Sequence, residues 1–131
     1  MLISLLLSVA LADPAKSVLP PRPPGLACTP ADPRAAALPQ RPLLGVWQHP
    51  ASSARFRVCA DAGVAIVTGI DSRDGEVFQV RDARFDGNRL LFVSTMPSTD
   101  LTVSQQWRLQ GTAVLDFTHT PTGDLLRNVP E

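Results

Sequence analysis

From Leu44 to Val129 the chain repeats one unit: a short apolar run closed by a turn signal. The runs are six to nine residues long. The turns between them, such as Asp74-Gly75 and Asp86-Gly87, are too short to hold a crossover helix. Consecutive strands joined in this way are antiparallel neighbours. Reading along, strands are predicted at 44–49, 54–60, 64–70, 76–81, 89–95, 101–109, 112–119 and 124–129. Arg84-Phe85 would extend the fourth beyond a bulge. Alternation is clearest in the sixth, where Leu101, Val103, Gln105, Trp107 and Leu109 share one face. Thr102, Ser104, Gln106 and Arg108 share the other. An eight-stranded meander exposes two edges unless it closes, and closure into an up-and-down barrel removes both. The expected fold is therefore all-β, an eight-stranded antiparallel up-and-down barrel over 43–131, with a flattened β-sandwich as its rival. A membrane barrel is excluded, because Arg55, Arg57 and Arg108 would have to face lipid.

Two different segments precede this domain. Residues 1–12 form an apolar run ending in Ala10-Leu11-Ala12, the small-x-small pattern of a cleaved signal peptide. No Lys or Arg precedes it, so the α-amino group supplies the positive charge. The run is too short to remain as a membrane helix, and no membrane insertion is expected after cleavage. Periplasmic or secreted localisation follows. Residues 13–42 hold most of the 13 prolines. Proline fixes φ and lacks a donor, so this stretch is expected to be an extended, semi-rigid arm or linker. One helical turn is expected in it, capped by Asp32 with Pro33 at its first position.

In an oxidising compartment an even cysteine count favours a bridge, here Cys28 to Cys59. It would close a loop of about 32 residues and pin the arm to the wall of the domain, worth on the order of 3–4 kcal/mol.

Charge and motifs exclude several function classes. Twelve basic and twelve acidic residues balance, so the basic stripe of a nucleic-acid binder is missing. No phosphate loop, nucleophile elbow or zinc-protease motif occurs, and no cofactor is expected. The histidines are His49 and His119. Asp116 would be their companion in a metal site, but three residues along a strand from His119 it should face the other way. No metal site is expected. Without a readable nucleophile–base pair the chain is not expected to be an enzyme.

The opening of the first strand, Gly45-Val46-Trp47, resembles the lipocalin-like, or calycin, group. In that group such a Trp closes the floor of the barrel, often beneath an Arg from the last strand; Arg127 holds the matching position. The Thr-Asp-Tyr signature and the C-terminal helix of true lipocalins are missing. The resemblance implies a small lipocalin-like domain and carries over no ligand; the leading expectation is a monomeric, non-enzymatic binding module that takes a small apolar ligand or none. The expected lining is Trp47, Phe78, Phe92, Gln105, Trp107, Phe117 and His119, the last two turned inward with Leu115. Gln105 is the one polar residue on an apolar strand face and needs a partner, either a ligand or an internal group such as His119. The alternative function is a protein-interaction domain, such as an inhibitor of a periplasmic hydrolase or protease, whose arm enters a partner's cleft.

Overall fold

The computed structural model describes residues 18–131. The proposed signal segment at 1–12, and the first residues of the arm, lie outside the described residues. The rest is all-β. The strands are β1 (Gly45–Gln48), β2 (Ala54–Asp61), β3 (Val64–Asp71), β4 (Gln79–Asp86), β5 (Arg89–Met96), β6 (Leu101–Gln110), β7 (Ala113–Asp116), β8 (Asp124–Leu125) and β9 (Arg127–Asn128). They form two antiparallel sheets, ordered β3-β2-β1-β9 and β4-β5-β6-β7-β8, which are not closed into the expected barrel and fit the β-sandwich alternative. At one corner the sheets are joined by Phe78 N–H donating to Gly69 O at 2.9 Å and a bridge between Ile70 and Val77. At the other corner one segment serves both: β8 pairs with β7 and β9 with β1. The eighth strand expected at 124–129 is thus two short pieces hinged at the buried Leu126.

Alternation sets what lies between the sheets. Phe56 of β2 is the hub, with ring centroids 5.6 Å from Phe78, 5.1 Å from Phe92 and 5.9 Å from Trp107. Phe92 and Trp107 meet edge to face at 5.3 Å. Such tilted pairs add to the burial of large apolar area. The bulge foreseen in β4 lies between Arg81 and Arg84, where the register shifts and Asp82 takes φ 57°.

The arm is not a spacer. Every residue of β2 from 55 to 60 is buried, so both of its faces are covered. Phe56, Val58 and Ala60 face the core; Arg55, Arg57 and Cys59 lie beneath residues 18–28. Prolines lack N–H groups but keep carbonyls, and an extended Pro-rich chain presents those carbonyls to neighbouring donors. Arg55 Nη1 donates to Val18 O at 2.9 Å, Arg57 Nε to Pro20 O at 3.1 Å, and Thr68 Oγ1 to Pro21 O at 2.5 Å. A two-way bridge between Ala27 and Ala60, at 3.2 and 2.8 Å, then adds the arm to the edge of the sheet's coverage. The Cys28–Cys59 disulfide fixes the crossing, as expected. Beyond it, Pro33–Ala35 forms a 3-10 turn capped by Asp32, whose Oδ1 accepts from Arg34 N at 2.8 Å.

Candidate functional site

The site is built where the two sheets open at the Gln48 end of β1. A cavity of about 230 Å³ is bordered by Trp47, Phe56, Trp107 and Leu126, with Asp116, Gln105, His49 and His119 as its polar members. A second cavity of about 200 Å³ continues toward Phe78, Ser94 and Met96. The two share Ser52, Ala54, Phe56, Gln105 and His119 as common wall.

Backbone pairing puts each of these groups in place. Gly45 pairs with Val58 and Trp47 with Phe56, which turns the indole inward. Gly45 takes φ +133°, and a Cβ there would stand 3.2 Å from Asn128 Nδ2. The glycine of Gly-x-Trp therefore lets β9 approach β1. Trp47 Nε1 donates to Leu43 O at 2.9 Å, from the 3-10 turn at Arg41–Leu43. Arg127 does not rest on this indole. It pairs with Gln48, the neighbour of Trp47, so it falls on the outer face, exposed. The cation–π contact found among the described residues is instead Arg108 over Phe117, at 4.4 Å.

Gln105 has internal partners. Its Oε1 accepts from Trp107 Nε1 and from Thr118 Oγ1, each at 3.2 Å, and its Nε2 lies 3.5 Å from Ser94 Oγ. The amide sets the plane of the Trp107 indole rather than reaching His119.

The seventh strand departs most from expectation. It ends at Asp116, three residues before His119. Its register on β6 pairs Trp107 with Asp116 and Arg108 with Leu115. Because Trp107 faces inward, Val114 and Asp116 do too, and Leu115 and Phe117 face outward. Phe117 thus belongs to the outer surface and packs against Gly123. Phe92 lies behind Phe56 and Trp107, supporting the rings without bordering either cavity. Past Asp116 the chain leaves the strand, which brings exposed His119 to the mouth of both cavities. Asp116 and His119, expected on opposite faces, border the same space.

Trp47, Gln105, Trp107 and His119 are therefore brought together in the first cavity, and Phe78 joins Gln105 and His119 in the second. Sequence reasoning missed Phe56, Ala54 and Asp116 as wall residues. The alternation of β2 contained the signal for Phe56; Asp116 required the β6–β7 register. His49 Nδ1 accepts from Ala51 N at 3.0 Å, and its Nε2 stands 3.1 Å from Asp124 Oδ2, off the line of a hydrogen bond. Among the described residues no three His, Cys, Asp or Glu side chains are grouped to hold a metal ion, and no helix is long and apolar enough to cross a membrane. No family model, curated protein or solved structure matches the chain.

Proposed function

We propose that the protein is an exported, monomeric, non-enzymatic binding module that takes a small, largely apolar molecule between its sheets. On this reading the paired sheets are a flattened eight-stranded barrel of lipocalin-like kind. The observation that carries it is the aromatic cavity of about 230 Å³ between Trp47 and Trp107, continued by a second chamber. Ligand sites are concave, mostly apolar and furnished with a few polar groups, and the two chambers have that make-up and together reach the usual size. The disulfide supports an oxidising compartment, periplasmic or extracellular. Titration with benzyl alcohol, followed by tryptophan fluorescence and thermal stability, tests the reading. Saturable quenching with a rise in Tm is expected. Ala54→Leu, which fills the wall common to both chambers, should abolish it. A flat titration of the folded wild type overturns the reading.

One feature favours the alternative, a protein-interaction domain of the hydrolase- or protease-inhibitor type. A wider groove of about 620 Å³ runs between the arm and the last residues, bordered by Pro30, Pro42, Val129 and Pro130. A flat small-molecule titration together with protease inhibition would favour it.

A further inference from the structure

The cavity also holds a buried carboxylate that no arginine or lysine among the described residues pairs with. Asp116 is 4% exposed. The hydrogen bond its carboxylate receives among the described residues comes from a neutral donor, Thr118 N–H, to Oδ1 at 2.8 Å. No arginine or lysine borders this cavity among the described residues, and none forms an ion pair with Asp116. Buried carboxylates are ordinarily paired, because an isolated one loses its hydration without return. The β7–β8 register makes the imbalance greater. Asp116 stands directly opposite Asp124, and like charges at opposed positions destabilise a sheet. Asp124 has His49 beside it at 3.1 Å, whereas Asp116 has no such neighbour. His119 sits at the exposed mouth rather than against the carboxylate.

The remaining wall is aromatic. Trp47, Trp107 and Phe56 border the same space, and both indole N–H groups are already used, on Leu43 O and Gln105 Oε1. What the rings offer a guest is their carbon framework. A carboxylate beside aromatic rings in a partly desolvated cavity is the combination that recognises an organic ammonium: the carboxylate takes the charge, and the rings add cation–π attraction and apolar contact. An anion would meet Asp116 with no arginine or lysine beside it among the described residues. A neutral apolar guest would leave the buried charge uncompensated.

Resting on the binding-module reading above, we infer that the ligand is a small organic cation, an ammonium group on an apolar body, with its charge at Asp116 and its body among Trp47, Phe56 and Trp107.

Three probes of one shape separate the cases: benzylamine, benzyl alcohol and benzoate, which at neutral pH are cation, neutral molecule and anion. Calorimetric titration of the full chain should show benzylammonium binding at least about tenfold more tightly than benzyl alcohol, the order of gain expected of a desolvated charge and its aromatic cage. Benzoate should not bind. Asp116→Asn keeps the Thr118 hydrogen bond through its amide oxygen and should erase the preference for the cation, bringing the affinity ratio of benzylamine to benzyl alcohol to about one. Equal affinity of the wild type for amine and alcohol overturns the cation assignment and leaves the binding module standing. Failure of all three to bind overturns both. Should Asp116→Asn not fold, the ratio among the three probes on the wild type decides alone.

Discussion

Phe56 and Gly69 face each other across the β2–β3 ladder, and the Phe56 ring lies over the glycine so closely that a Cβ there would come within 2.6 Å of Cδ1. Phe78 closes the other side, at 3.1 Å from the same point. The hub of the core is seated in the space a side chain would occupy. Gly69→Ala should therefore destabilise the protein by about 1–3 kcal/mol through overpacking. Urea unfolding measures it. An unchanged midpoint would mean that the ring is not held there.

Gln105 orders Trp107 by accepting its indole N–H at 3.2 Å. Gln105→Leu conserves bulk but leaves that buried donor, and Thr118 Oγ1, without an acceptor. A loss of about 1–3 kcal/mol is expected, with a shift in tryptophan emission. If stability holds, the indole has found another partner.

Much of this core was legible along the chain because strand alternation is local. The faces of β6, the Asp-Gly turns and the bulge after Arg81 follow from neighbouring residue types, and the Cys28–Cys59 bridge follows from a count of two cysteines. Asp116 and Phe117 were misread for the same reason. An apolar Leu115, a polar Asp116 and an apolar Phe117 look locally like an inward-outward-inward strand. The register with Trp107, a partner nine positions earlier, imposes the reverse. The pinning of the arm by the disulfide was legible, but its packing along β2 was not, because that uses the carbonyls of Val18, Pro20 and Pro21, which every residue has and no side-chain pattern marks.

The disulfide joins that arm to the second strand over a separation of 31 residues. Cys28→Ala should lower the unfolding free energy by about 3–4 kcal/mol on loop-entropy grounds. Denaturation of the variant, compared with reduced wild type, checks this. Equal stability of oxidised and reduced wild type would contradict it.

Trp47 is 8% exposed, and Arg127 is exposed on the opposite face of the sheet. Trp47→Ala should cost about 3–5 kcal/mol as a cavity-forming truncation. Arg127→Ala should stay within about 0.5 kcal/mol, like other surface changes. A large loss at Arg127 would restore the stacking that Gly-x-Trp suggested.

Acid should act through Asp71. The Arg73 guanidinium, bonded to both of its oxygens at 3.2 and 2.7 Å, pulls its carboxyl down from 3.8 to about 2, with Ser53 helping. The folded group ionises more readily than the unfolded one. Its contribution is therefore complete above about pH 4 and lost as pH falls toward 2. Asp71→Asn should remove this share, so that stability between those values depends less steeply on pH. Thermal melts across the interval measure it. Identical slopes for variant and wild type would exclude Asp71 as the cause.

The split last strand has a kinetic meaning. β1, near the start of the domain, completes its pairing only through Arg127 and Asn128, some eighty positions later, and the same segment closes β7 through Asp124 and Leu125. Neither sheet can finish until residues 124–128 have emerged from synthesis. Contacts so distant along the chain must overcome loop entropy before they are rewarded, which slows folding. A nascent chain would thus stay open until residues 124–128 are delivered.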